Sequence, residues 1–440
     1  MMNSSDDRLD VLSSEQRLKA MLVVEAALAV ALHKSGIISE KQADAISEAC
    51  ASESFDANAI YANGSKSGTP VIPLVKEIVA HARSKSEEAA RFVHFGATSQ
   101  DILDTATVLQ LQEVVSQICR QLLKVESAFV NLAEEHSKTI ALGRTLLQPG
   151  PPISFGLKVA SWKAAVRRCR QRLETSASSA LVLQFGGAVG NLSSLDKKGM
   201  HVAKHLAEEL ELPLPDAPWH AHRDRLVELA SATGILVGSL GKIARDISLH
   251  CQGEVGELRE ASTPVKGGSS AMPHKRNPVG CMRVLAAANQ APGLVSSLLS
   301  AMPQEHERGL GGWQSEWPTL KTLFAAAELA SAAMAEISEG LEVDVARMKA
   351  NLDTTQELVF SERLSSALLP KLGRLEAQKL VGNLVNQSIE QGRRLSELAS
   401  EEPIIKSALD EDSLERVFDI EQALGSSEEL LIRLLKGKRS

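Results

Sequence analysis

From Val108 to Leu132 the apolar residues Val108, Leu111, Val115, Ile118, Leu122, Val125, Phe129 and Leu132 recur every three or four positions, with no Gly or Pro among them. That spacing keeps one face of an α-helix apolar, because a turn takes 3.6 residues. The segment therefore runs for about seven turns, where an average helix has about 11–12 residues. Similar long stripes cover roughly 153–182, 226–251, 279–300 and 318–341. A stripe with no partner stays in water, so this set predicts a bundle of long helices. A further amphipathic helix is expected over 13–35, where Leu18, Leu22, Val24, Leu28 and Leu32 lie near helical spacing. The Gly/Ser-rich stretch at 63–70 reads as a looser connection. Beyond Asn351, shorter helices are expected, broken at Pro370, Gly373, Gly392 and Pro403. The pattern predicts an all-α, three-domain protomer: a helical domain over 1–105, a central bundle over 106–348 and a small helical domain over 349–440.

Composition sharpens this picture. Aromatic residues are only 3% of the 440, which disfavours a β-sandwich and suits helix packing. The net charge of −7 argues against a nucleic-acid partner, which calls for a basic surface. Cys50, Cys119, Cys169, Cys251 and Cys281 are at least 30 residues apart, so neither a zinc knuckle nor a redox pair is expected. The start, Met-Met-Asn-Ser-Ser-Asp-Asp, lacks the basic and apolar stretches of a signal peptide, and no unbroken apolar run reaches 18 residues. A cytoplasmic protein with no membrane partner is the expectation. His201 and His205 have the i, i+4 spacing of zinc ligands, but no Glu follows the first as in HExxH. A surface helix without metal is the plainer reading.

The segment 264–278 carries the chemistry. It runs from a Gly/Ser-rich stretch through proline punctuation to Lys275 and Asn277 at the expected mouth of a helix. Free N–H groups and the positive dipole end there would suit an anion. Small residues would let the segment close over a ligand. A plain surface connector would show the same glycines and serines.

The string Gly268-Ser269-Ser270-Ala271-Met272-Pro273-His274-Lys275-Arg276-Asn277-Pro278 resembles the GSSxMPxKxNP signature of the fumarase/aspartase superfamily. His94-Phe95-Gly96-Ala97-Thr98-Ser99-Gln100-Asp101 resembles its first signature region, and Gly143-Arg144-Thr145-Leu146-Leu147-Gln148-Pro149 its second. With Gly187-Ala188-Val189-Gly190-Asn191, the resemblance covers nearly the whole chain. It implies addition or elimination β to a carboxylate, through a carbanion that places extra negative charge on the carboxylate oxygens. Such a site offers several donors to that carboxylate and one proton-transfer group to the α-carbon. The resemblance implies Ser269 for the proton and Lys275 as the cation facing the developing charge. It implies His94, Thr98, Ser99, Arg144, Thr145, Gln148, Ser270 and Asn277 as substrate-binding residues. It also implies no cofactor and no metal, and a homotetramer whose sites combine the three regions from different subunits. Taken singly, each Thr or Ser reads first as a helix cap.

Two departures narrow the chemistry. Leu146 stands where lyases of the superfamily carry the histidine of GRTHxQ. An aliphatic side chain is no general acid, so a leaving amine would lack its proton donor. The stretch Glu305-His306-Glu307-Arg308-Gly309-Leu310-Gly311-Gly312-Trp313-Gln314-Ser315-Glu316-Trp317 resembles the superfamily's muconate cycloisomerases, as do Pro218-Trp219-His220 and Arg223-Asp224-Arg225. There the attacking group is the substrate's own carboxylate, which needs no proton from the enzyme. This branch implies lactonisation of 3-carboxy-cis,cis-muconate in protocatechuate breakdown. Arg308 would pair with a carboxylate, Gln314 would donate to one and Trp313 would wall the pocket. Arg17, His94, Lys275 and Arg308 are the candidate cations for a small polycarboxylate, and His94, Lys275 and His306 the alternatives to Ser269 as proton donor. A C–N lyase of the adenylosuccinate type and a non-catalytic, crystallin-like relative are the competing readings. Leu146 opposes the first, and intact Ser269, Lys275 and Asn277 oppose the second.

Overall fold

Every long apolar stripe folds as one helix. The computed structural model describes residues 10–436 apart from 262–267, 269–271 and 273–274. Five helices come first: α1 (Ser14–Lys34), α2 (Glu40–Cys50), α3 (Ala57–Ser67), α4 (Val71–Lys85) and α5 (Glu87–Ala90). The stripe centred on Ile118 belongs to α6 (Ser99–Glu135), and the others to α7 (Phe155–Ala180), α9 (Asp224–His250), α10 (Val279–Ala301) and α11 (Gly312–Glu339). The shorter α8 (Gly199–Glu209) lies between α7 and α9 in the chain. Along α6, Val108, Ile118, Leu122, Val125 and Phe129 are completely buried. Each such side chain contributes about 1.5–3 kcal/mol by leaving water, so the stripe, more than intrinsic propensity, holds the helix.

The chain divides into two compact units. One comprises Met1–Gln121, Cys169–Gly238 and Ala286–Ala332; the other comprises Leu122–Arg168, Ser239–Leu285 and Ala333–Ser440. In the first, α1 packs on α2, α3 and α8. Ser13 caps α1 by accepting from the Gln16 N–H, and Ser39 and Gln42 form a reciprocal capping box on α2. In the second, the last residues form α12 (Val345–Asp353), α13 (Ser361–Leu372), α14 (Arg374–Gln391), α15 (Leu395–Glu401), α16 (Pro403–Ala408), α17 (Glu411–Phe418), α18 (Ile420–Ala423) and α19 (Ser427–Lys436). They enclose a core of Leu364, Leu368, Val381, Leu384, Leu395 and Ile405.

Four features depart from the sequence pattern. Residues 63–67 are not loose, since α3 continues to Ser67 and ends at Gly68 (φ 79°). The Ser65 hydroxyl donates to the Ala62 carbonyl at 2.7 Å, and Gly64 lies so close to Pro70 that a Cβ would come within 2.8 Å of its Cα. Pro370 does not break the chain but sits inside α13, which ends at Gly373. The carbonyl of Ser366, deprived of its N–H partner, belongs to an exposed residue that water can serve. Between α6 and α7 an unforeseen hairpin forms from β1 (Ile140–Thr145) and β2 (Gln148–Ser154), with Thr145 opposite Gln148 and a bulge at Leu142/Gly143. A second small pair joins β3 (Leu258–Arg259) to β4 (Glu342–Val343). Finally, α9 is long and apolar enough to cross a membrane by length and composition, but 61% of its apolar window is buried inside the protein. Among the described residues α9 alone meets that test.

Candidate active site

In the first unit, the first signature region forms a tight turn leading into α6. His94 and Gly96 both take left-handed backbone (φ 62° and 85°), and a Cβ on Gly96 would lie 2.7 Å from Leu195. The Thr98 N–H is capped by the Asp101 carboxylate at 2.9 Å. Asp101 also accepts from the Gly186 and Gly187 N–H groups, each at 2.9 Å, and pairs with His220 Nε2 at 2.7 Å. One buried carboxylate thus ties the first region to the Gly186–Gly187 turn and to the Trp219–His220 stretch.

With Asp101 as the cap, the Thr98 hydroxyl is not one. Its Oγ1 accepts from Arg308 Nη1 at 2.7 Å, while Arg308 Nε donates to Gln100 Oε1 at 3.2 Å. Gln100 is held in turn, donating to the His220 carbonyl at 2.9 Å and to Asp104 at 3.2 Å. The structure therefore joins Thr98 and Arg308, which lie 210 positions apart in sequence. Ser99, the first residue of α6, is half-buried beside them in the chain. Gln314 turns its side-chain oxygen to the Gly311 N–H at 3.0 Å, and His306 is exposed.

Behind this turn lies a closed ionic network. Arg223, only 1% exposed, is held between Asp104 (2.8 and 3.1 Å) and Glu316 (3.1, 3.1 and 2.7 Å). It also lies over the Trp219 ring, 4.7 Å from its centroid. Burial alone would lower its pKa, but the two carboxylates raise it and keep the guanidinium charged. Burial raises the Glu316 pKa in spite of Arg223. Trp313 is buried, and its Nε1 donates to Asp104 at 2.9 Å, which makes it a strut of the network. Arg17 is buried as well, with Nε on Gln110 Oε1 at 3.1 Å, and burial lowers its pKa. His94 Nδ1 lies 2.6 Å from Glu25 Oε1.

The second unit holds the second region and the described part of the third. Arg144, on β1, grips Glu257 with two bonds of 2.6 and 3.0 Å. Glu257 also receives His250 Nδ1 at 2.6 Å and Asn351 Nδ2 at 2.7 Å. Burial would raise its pKa, but bonds from His250, Arg144 and Asn351 outweigh it and bring the carboxyl down to about 2. Lys158 Nζ stands 3.1 Å from His250 Nε2, and burial lowers the pKa of both groups. Thr145 and Gln148 are exposed on the hairpin and flank its tip. The tip itself is Leu146 and Leu147, 97% and 74% exposed, with φ of 51° and 65°. A two-residue turn of this shape favours Asn-Gly, so two leucines there carry strain.

Lys275 is exposed and Asn277 half-buried just before α10. The start of α10 is not an open anion site, because Glu260 already accepts from the Gly280 and Cys281 N–H groups, each at 2.8 Å. Ser269 and Ser270 lie outside the described residues. His205, on α8, pairs with Glu208 at 3.2 Å. Glu25, Glu257 and Lys158 lie outside all of the signature stretches. For Glu25 a signal existed: it is a charge among the apolar positions of α1.

Comparison with known proteins gives consistent results. A family described as lyase matches residues 2–293, and the adenylosuccinate lyase C-terminus family matches residues 357–434. A 3-carboxy-cis,cis-muconate cycloisomerase of Bradyrhizobium diazoefficiens is 42% identical over 418 residues, 95% of this chain and 93% of the relative. Its counterpart in Pseudomonas aeruginosa is 43% identical over 425 residues, 97% of this chain and 93% of the relative. The crystal structure of 3-carboxy-cis,cis-muconate lactonizing enzyme from Pseudomonas putida superposes with a TM-score of 0.90 at 42% identity, covering 97% of this chain and 95% of that one.

Proposed function

The chain belongs to the fumarase/aspartase superfamily, and from that premise we propose that it is a 3-carboxy-cis,cis-muconate cycloisomerase, forming a carboxymuconolactone in protocatechuate breakdown. The observation that carries this choice is Leu146, fully exposed at the hairpin tip where a lyase needs its acid histidine. A reaction whose attacking group is the substrate's own carboxylate does without that acid. The carboxylate oxygen adds to the double bond, the π electrons move to the α-carbon and its carboxylate, and a proton closes the step.

In this reading Ser269 supplies the proton and is reprotonated from water, while Lys275 opposes the developing charge. Donors for the carboxylates are Thr98, Ser99, Thr145, Gln148, Ser270, Asn277, Gln314 and Arg308. Arg308 has Nε and Nη1 engaged with neutral oxygens, and among the described residues no carboxylate neutralises it. Arg144 holds Glu257 with two hydrogen bonds, which supports a structural part for it near the hairpin tip. We also take the protein to be a homotetramer with shared sites. The bare, strained leucines at the tip and the exposed Leu310 support an interface, since isolated apolar tips of this kind are costly in water. No disulfide joins the five cysteines, which fits a reducing cytoplasm. The division at about residues 105 and 349 is the expected pattern of limited proteolysis.

The adenylosuccinate lyase C-terminus match favours a second reading, a C–N lyase. Ultraviolet assays with carboxymuconate, adenylosuccinate, argininosuccinate and fumarate separate the two. Turnover of carboxymuconate alone is expected, with Ser269→Ala lowering kcat by about 10²–10⁴-fold and leaving the fold intact. Cleavage of adenylosuccinate with carboxymuconate untouched would reverse the assignment.

A further inference from the structure

Glu25 is a carboxylate on the buried face of α1, among Met21, Leu22, Leu28 and Leu32. Its side chain is 0% exposed, and its one described hydrogen bond is the 2.6 Å contact of Oε1 with His94 Nδ1. The second oxygen, Oε2, is buried without a partner. A carboxylate dehydrated this far is costly unless the group it meets carries the opposite charge. It caps no helix. Its partner is unusual too: His94 is a non-glycine residue in left-handed backbone (φ 62°), a conformation that costs energy and persists where the surroundings enforce it. The turn is closed by the Ala97 N–H on the His94 carbonyl, and four residues beyond His94 the Thr98 hydroxyl meets Arg308. Because Nδ1 is taken by Glu25, the ring's other nitrogen is on the side away from that carboxylate, and the imidazole is 19% exposed.

We infer that Glu25 is a positioning residue: it fixes His94 as an imidazolium whose Nε2–H is offered to a carboxylate of the substrate. This rests on the polycarboxylate reading above and adds a residue that the signature motifs do not contain. It also supplies positive charge to a site whose buried Arg17 and Arg223 are committed to protein partners.

The surrounding charges agree. Burial by itself lowers the His94 pKa, but Glu25 from α1 and Asp101 from α6 outweigh it, and the net direction is upward. Cys50 of α2 faces Glu25; burial and that carboxylate raise its thiol, so it stays neutral and does not compete for the imidazolium. Asp101 has His220 as its own partner, and Arg308 is the cation bonded into the same turn. The charge on His94 is therefore present below its raised pKa and lost as pH rises through it.

The test uses the full-length protein with Glu25→Gln and Glu25→Asp, read by carboxymuconate kinetics from pH 6 to 9 and by imidazole nitrogen NMR of His94, assigned with His94→Gln. In Glu25→Gln the His94 titration and the alkaline fall of kcat/KM should both move down by about one pH unit, with KM near neutrality rising about tenfold and kcat changing little. Glu25→Asp should recover part of both. A glutamate that merely fills the core would lower the melting temperature and leave the His94 titration where it was, and that result overturns the inference. If Glu25→Gln does not fold, the wild-type titration decides, since a His94 that loses its proton below the ordinary histidine range contradicts it. If the titration moves as expected but carboxymuconate is not turned over, the pairing stands and the substrate assignment fails.

Discussion

Two arginines of the first unit stand in opposite surroundings. Arg223 lies between two buried carboxylates, and the buried Trp313 indole on Asp104 and the half-buried Gln304 amide on Glu316 complete its network. Among the described residues, Arg308 is met by the hydroxyl of Thr98 and the amide oxygen of Gln100. Both arginines lie in stretches that resemble one branch of the superfamily, so the motif alone does not separate them. Their partners do. A buried cation with full compensation belongs to the architecture, whereas a cation held by neutral oxygens keeps its charge for an anionic ligand. The second unit repeats the contrast: Arg144 is spent on Glu257, while Lys275 is exposed.

Substitutions should separate the two kinds of site, beginning with the strongest. Arg223→Leu leaves Asp104 and Glu316 facing each other without their cation, and should cost about 3–5 kcal/mol in chemical denaturation. If stability is unchanged, the network is not structural. Glu257→Gln should cost about 3 kcal/mol near neutral pH, because Arg144 loses the buried carboxylate that pairs with it. Because the folded pKa is depressed, that stability is present above the unfolded value and lost as pH falls towards about 2. The gap between wild type and variant should therefore narrow across that acid window in pH-dependent melts. Arg308→Gln should behave in the opposite way to Arg223→Leu, lowering kcat/KM by about a hundredfold with little effect on melting. A large loss of stability would move Arg308 into the structural class. Leu146→His should change stability least, within about 0.5 kcal/mol, since histidine tolerates left-handed backbone better than leucine does. Lactonisation should persist in it, and a newly gained C–N lyase activity would show that the missing acid alone divides the two chemistries.

The long helices were legible because each buries one stripe, and a stripe has a period. The hairpin was not. Pro149, Pro151 and Pro152 crowd β2, and its turn uses Leu146-Leu147 in place of the glycine or asparagine that marks such turns. Helix α3 was hidden for the reverse reason, as Ser65 and Ser67 look like loop residues but bond back to helix carbonyls. Thr98 and Arg308, which the structure brings together, both lie in stretches that the motifs marked. Thr98 then proved to be no side-chain cap, a distinction that needed Asp101 in place. Glu25 and Glu257 act by pairing with residues 69 and 113 positions away, and no local pattern encodes such a partner. Only the charge at position 25 within an apolar register hinted at one of them.

The most direct test of the central claim is proton NMR of the product formed from 3-carboxy-cis,cis-muconate in D₂O. The expected product is a carboxymuconolactone bearing a single deuterium at the carbon α to the carboxylate, formed without added metal or nucleotide. Unchanged carboxymuconate, from enzyme that releases fumarate from adenylosuccinate in the same buffer, would contradict that claim.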